Sequence, residues 1–119
     1  MPKGSACRAS ASPLSTTLGD VRSRAVAMGK VADILQARGE MEEALRIRRE
    51  EELPVYERLG DVRSLLVGRA NLALLYLQRG RPEDRNLAAE LLRLALTSAE
   101  ALRLPEAVQI RDIQRHFGL

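Results

Sequence analysis

Apolar side chains recur every three or four positions between residues 20 and 117, and short breaks carrying glycine or proline divide the pattern into five helical segments. From Asp20 to Arg38 two apolar lines run in parallel: Val21, Ala25, Met28, Ala32 and Leu35 on one, Ala27, Val31 and Ile34 on the other. A helix with two such lines is expected to pack on two sides. Gly39 ends it, and Glu40, Glu42 and Glu43 place negative charge at the start of the next helix, where the backbone dipole favours it. That helix turns Met41, Ala44, Leu45, Ile47, Leu53, Tyr56 and Leu59 inward. Pro54 lies within it and removes the N–H that would reach the Glu50 carbonyl, so a kink or broken turn is expected over 50–54. The run Glu50-Glu51-Glu52 reads as a solvated face.

A third helix, Asp61 to Arg79, carries Leu65, Leu66, Leu72, Ala73, Leu75 and Tyr76 inward, and Gly80 ends it. Pro82 suits the first position of a fourth helix, which runs to about Arg103 through Ala88, Leu91, Leu92, Ala95, Leu96, Ala99 and Leu102. Pro105 opens a last helix reaching about Phe117, with Ala107, Ile110, Ile113 and Phe117 on one side and Arg111, Asp112, Gln114 and Arg115 on the other. One-sided patterning of this kind suits a helix that closes a stack.

The chain also repeats itself. Leu59-Gly60-Asp61-Val62-Arg63-Ser64 recurs as Leu18-Gly19-Asp20-Val21-Arg22-Ser23, 41 positions earlier, and 11 of 26 positions are identical when 18–43 is laid over 59–84. In the later copy the hexapeptide reads as a joint between helices. Gly60 suits the left-handed residue that closes one helix, and the Asp61 carboxylate can cap the next. Ser64, not Glu or Gln, stands where a full capping box would place its second acceptor.

Two helix pairs with small residues at Ala32 and Ala73, glycine between the helices, and Ala44 or Ala88 early in the second helix resemble tetratricopeptide repeats. Asn71-Leu72-Ala73 followed by Tyr76 and Gly80 is similar to the centre of that family's signature, and Ala88 and Ala95 resemble its two second-helix alanines. The usual period is about 34 residues, and an addition of about 7 is two helical turns, which keeps nearly the same faces inward. Met28 or Arg69 stands in place of the signature Trp, and Glu51 where a later small residue is expected. The resemblance implies an all-α fold of antiparallel helix-turn-helix repeats stacked as a short right-handed α-solenoid. Unit one would span residues 18–58, unit two 59–103 and a capping helix 105–117, together forming a repeat domain over 18–117. Residues 1–17, rich in Ser, Ala and Thr, are expected to be an unstructured tail.

Composition narrows the chemistry. Aromatic residues are 3% of the chain and Trp is absent, so the core must be built from Leu, Ala, Val and Ile. The net charge of +3 comes from 17 Arg and 2 Lys interspersed with 16 acids, a mixture unlike a nucleic-acid-binding stripe. Nucleic-acid binding through Arg22, Arg24, Arg63 and Arg69 is therefore the least favoured reading. Cys7 is the only cysteine, which leaves no internal disulfide and no CxxC metal site. No apolar run approaches the 18 or so residues that span a bilayer, and a cytoplasmic location with no membrane partner is the default expectation. The sequence holds no phosphate-cradling glycine loop, nucleophile with a base, or metal-ligand spacing, so no enzyme activity and no cofactor are expected. His116, near the end of the last helix, suits a structural role at the negative end of the dipole.

The leading expectation is a non-catalytic protein-interaction scaffold that binds a protein or peptide on a concave face lined by the first helix of each pair. Helical spacing and the family resemblance place Arg22, Val26, Lys30, Asp33 and Gln36 on that face in unit one, and Arg63, Val67, Asn71, Leu74 and Gln78 in unit two. An alternative is an assembly piece, a fragment of a longer array that self-associates. In unit two Gly68, Leu72 and Leu75 form a line for the preceding helix to cover, and the matching line in unit one, Ala27, Val31 and Ile34, is expected to stay partly exposed or to meet another chain as a homodimer through helix one.

Overall fold

The computed structural model describes the backbone of residues 13–119 and the side chains from residue 19 onward; Cys7 and the first 12 residues of the expected tail lie outside the described residues. Among the described residues five helices follow one another: α1 (Pro13–Ala37), a composite α2, α3 (Val62–Arg79), α4 (Asp84–Ala101) and α5 (Glu106–Phe117). α2 is made of α-helical Met41–Ile47, a π-helical stretch Arg48–Glu52 and α-helical Leu53–Leu59. The described residues contain no strand, as the apolar period predicted.

Side-chain ties give the helix directions. Arg22 of α1 pairs with Asp61 at the start of α3, and Gln36 near the end of α1 donates to Gln78 Oε1 near the end of α3 at 2.6 Å, so these two helices run the same way. Glu42, at the start of α2, accepts from Arg79 at the end of α3 at 3.0 Å, so α2 runs against α3. Arg85, early in α4, donates to the Gly118 carbonyl just beyond α5 at 2.8 Å. Arg63 and Glu106 join the starts of α3 and α5 at 2.8 Å.

The core is built from small and branched aliphatic side chains. Ala32, Ala44, Ala73, Ala88, Ala95 and Ala99 are fully buried among Leu45, Leu66, Leu75 and Leu92. Alanines at these crossings let helix backbones approach closely, and each buried leucine contributes on the order of 2 kcal/mol by leaving water. The joints follow the glycines. Gly39, Gly60 and Gly80 have φ of 83°, 67° and 74°, the left-handed conformation in which a Cβ would be strained. After Gly60, Asp61 Oδ1 accepts from the Ser64 N–H at 3.2 Å and caps α3. At the fourth joint, between α4 and α5, the left-handed residue is Arg103, with φ of 55°.

Three expectations are corrected. α1 begins at Pro13, so residues 13–17, assigned to the tail, are helical. Pro13 has the fixed φ that suits a helical first turn, and no breaker stands between it and Asp20. The earlier copy of the hexapeptide, Leu18 to Ser23, consequently lies inside a helix, unlike the later copy. At the start of α4, Pro82 lies in the preceding turn and the helix begins at Asp84. Asp84 holds that turn. Its buried carboxylate accepts from the Arg81 N–H at 3.0 Å and from Arg79 Nε and Nη2 at 2.8 and 2.6 Å. Glu52 is not part of a solvated face: it is 6% exposed, whereas Glu50 and Glu51 are exposed.

The expected irregularity near Pro54 is the π-helical stretch. Pro54 supplies no N–H to the Glu50 carbonyl, and a wider turn before it admits an extra residue without ending the helix. Within that turn Arg48, 2% exposed, and Glu52 both point into the protein.

Candidate protein-binding surface

α1 and α3 lie side by side with an open groove between them, about 380 Å³ in volume. Arg22, Arg63, Val67 and Asn71 line its sides, and Glu52 and Tyr56 of α2 lie against it. A second, more apolar groove of about 160 Å³ separates α3 from α5 and is lined by Leu66, Val67, Ala70, Leu74, Ile110 and Ile113. Val67 and Asn71 border both, so the two grooves share one wall.

The residues expected on the concave face fall into two groups by exposure. Arg22, Val26, Lys30 and Asp33 on α1 and Arg63, Val67 and Gln78 on α3 are exposed, while Gln36, Asn71 and Leu74 are half-buried. The structure brings Arg22, Arg63, Val67, Asn71 and Leu74 to the grooves and joins Gln36 to Gln78. Val26 and Lys30 border neither groove, and Asp33 is drawn to Arg48. Ala27, Val31 and Ile34, the expected self-association line, are all exposed, whereas Gly68, Leu72 and Leu75 are all buried.

Electrostatics at the grooves are dominated by neighbouring pairs. Hydrogen bonding to Ser64, and then to Arg22, holds the Asp61 carboxyl below its ordinary value. The Arg63 guanidinium, donating through Nε and Nη2 to Glu106 Oε2, does the same for Glu106. Glu52 moves the opposite way. Burial raises it, and Arg48, donating from Nη1 to Oε1 at 3.0 Å, opposes that rise. The Tyr56 hydroxyl is also raised, by burial and by the nearby Glu52 charge. Three of the four arginines considered for nucleic-acid binding are matched by carboxylates: Arg22 by Asp61, Arg63 by Glu106 and Arg69 by Glu57. His116 is exposed, with its ring edge-on to Phe117 at 4.8 Å.

Sequence reasoning missed Glu52, which lines the first groove, and the buried Arg48 that pairs with it. Arg48 and Glu52 stand at i and i+4, a spacing that signals a helical ion pair but not whether it faces water. Gly29 held the further signal, because Glu52 packs on it so closely that a Cβ there would lie 2.5 Å from Glu52 Oε2. Glu106, which pairs with Arg63, stands 43 positions after it, close to the repeat period, and that spacing is the signal that could have found it.

Among the described residues no group of three or more His, Cys, Asp or Glu side chains is placed to share a metal ion, and no helix is long and apolar enough to cross a membrane. Comparison with protein-family models, with curated proteins and with solved structures finds no match for this chain.

Proposed function

We propose that the protein is a non-catalytic interaction scaffold, built as two tetratricopeptide-like repeats and a closing helix in a short right-handed stack, which binds a peptide or protein segment across α1, α3 and α5. The observation that carries this reading is the shared wall. Val67 and Asn71 border a polar groove on one side and an aliphatic groove on the other, so an extended segment laid across α3 can use both. Val67 offers exposed apolar surface at the centre, and the Asn71 amide supplies a donor and an acceptor to a main chain. Arg22 and Arg63 keep guanidinium surface in water while tied to carboxylates, which fixes their positions before a ligand arrives. The parallel course of α1 and α3, set by ties at both ends, supports the repeat architecture.

The test is selection of peptides from a random display library against the full chain, followed by affinity measurement on Val67→Glu. A charge placed on the shared wall is expected to weaken a selected peptide by about tenfold or more, the size of effect seen on truncating a binding hot spot. Circular dichroism should remain unchanged, because Val67 is exposed. Peptides that bind the variant as tightly as the parent would remove this surface from consideration.

A further inference from the structure

We propose that the exposed stripe of α1 pairs antiparallel with the same stripe of a second copy of this chain. Val31 and Ile34 are 38% and 57% exposed, and Ala27 beside them is exposed as well. Their counterparts 41 residues later, Gly68, Leu72 and Leu75, are buried. What lies over that later line is visible in the same molecule. α2 runs antiparallel to α3, and its Leu53 Cδ2 occupies the space a Cβ on Gly68 would need. A face of this construction is thus one that an antiparallel helix covers.

Charge selects the second copy as the occupant. Asp20, Arg24, Ala27, Val31, Ile34 and Arg38 follow one another at alternating steps of four and three residues, so all six lie along a single seam of α1. The seam has an acid at one end and an arginine at the other. Two copies running the same way would set Asp20 against Asp20 and Arg38 against Arg38. Turned antiparallel, Asp20 of one copy faces Arg38 of the other, Ala27 faces Val31 and Arg24 faces Ile34. All three pairings share one centre, at the level of Gly29, so a single two-fold axis there makes each of them twice. Ala27, the smallest of the apolar residues, falls near the crossing, where a short side chain lets the backbones approach. The Arg24 stem can lie over Ile34 while its guanidinium stays in water. Among the described residues Arg38 is held by Glu40, at 3.4 Å with both side chains exposed, and a guanidinium has donors to share with a second carboxylate.

One helix face per copy is a small interface, so the pairing is weak and reversible. The seam does not include Val67 or Asn71, so loss of the dimer leaves Val67-dependent peptide binding in place.

The experiment is sedimentation equilibrium on the full chain from about 10 μM to about 1 mM, a range bracketing a weak interface, with reductant present to keep Cys7 from cross-linking. The expected result is a monomer–dimer equilibrium that Ile34→Glu weakens by about tenfold or more. Asp20→Arg and Arg38→Asp alone should each weaken it by about threefold, as exposed ion pairs do, and the two together should restore the parental value. Monomer at every concentration would overturn the proposal and leave the stripe to a different protein. A dimer indifferent to Ile34→Glu, or a double charge exchange no better than either single one, would overturn it equally.

Discussion

Gly60 and Gly19 occupy the same place in a repeated hexapeptide and adopt different conformations: Gly60 is left-handed, with φ of 67°, and Gly19 continues the interior of α1. Nothing lies within 4 Å of a Cβ built on either one, so any difference between them on substitution comes from the backbone. Gly60→Val should destabilise the fold by about 1 kcal/mol or more, because a β-branched residue resists positive φ. Gly19→Ala should be neutral or stabilise by roughly 0.5–1 kcal/mol, as alanine does in a helix interior. Urea midpoints of the two variants should therefore move in opposite directions or one should stay still. Equal losses would mean that both glycines close helices.

The cover of α3 by α2 can be tested at its closest point. Gly68→Ala drives a methyl into Leu53 and should cost about 1–3 kcal/mol as overpacking. Adding Leu53→Ala opens that space, so the double variant should show a favourable coupling of at least about 0.5 kcal/mol in a double-mutant cycle followed by denaturant unfolding. Additive losses would place the two residues out of contact.

Arg48 and Glu52 form a pair in which each partner is needed by the other. Arg48→Met leaves a carboxylate buried without its cation and should cost about 3–5 kcal/mol at neutral pH. The Glu52 carboxyl is raised above its ordinary 4.5 by burial, so its protonated form favours the folded state, and the contribution is fully present below 4.5 and lost as pH rises through the raised value. Without Arg48 that rise goes unopposed. The deficit of Arg48→Met relative to the parent should hence shrink as pH is lowered from 7 toward 4.5, which thermal melts across that range would show.

Asp84 has the opposite sign. Hydrogen bonds from Arg79 hold its carboxyl below the ordinary 3.8, so its stabilisation is present above 3.8 and lost as pH falls through the depressed value. Asp84→Asn should cost about 2 kcal/mol at pH 7, the scale of hydrogen bonds to a charged group. It should also flatten the acid limb of stability against pH below 3.8, where the parent falls. An acid limb of unchanged steepness would assign the loss to other carboxylates.

Much of this architecture is legible in the chain because its signals are local. Helical period placed Ala25, Ala32, Leu66, Leu72 and Leu92 inward, and all five are buried. Gly39, Gly60 and Gly80 marked three joints because a left-handed residue leaves few alternatives to glycine. Where the reading failed, the deciding feature lay outside the segment being read. Leu18 to Ser23 is spelled like a joint, but a hexapeptide that can close one helix and cap another can also continue a helix when a helical turn from Pro13 leads into it. Glu52 looked solvated beside Glu50 and Glu51, and only the wide turn ahead of Pro54 and the missing side chain at Gly29 bring it inside. Of the residues that helical spacing and the family resemblance put on the expected face, Arg22, Arg63, Val67, Asn71 and Leu74 border the grooves. Tyr56, Glu52 and Glu106 come from neighbouring helices, whose distance from that face no helical period encodes.

The most direct measurement of the binding surface is a nuclear magnetic resonance titration of the isotope-labelled full chain with a library-selected peptide, reading backbone amide shifts. Saturable shifts are expected at Arg22, Arg63, Val67, Asn71 and Leu74 and along the α5 wall at Gln109 and Ile113, the residues that border the two grooves. Shifts confined to the outward sides of α2 and α4, around Glu50, Leu87 and Arg93, would contradict the assignment of α1, α3 and α5 as the binding face.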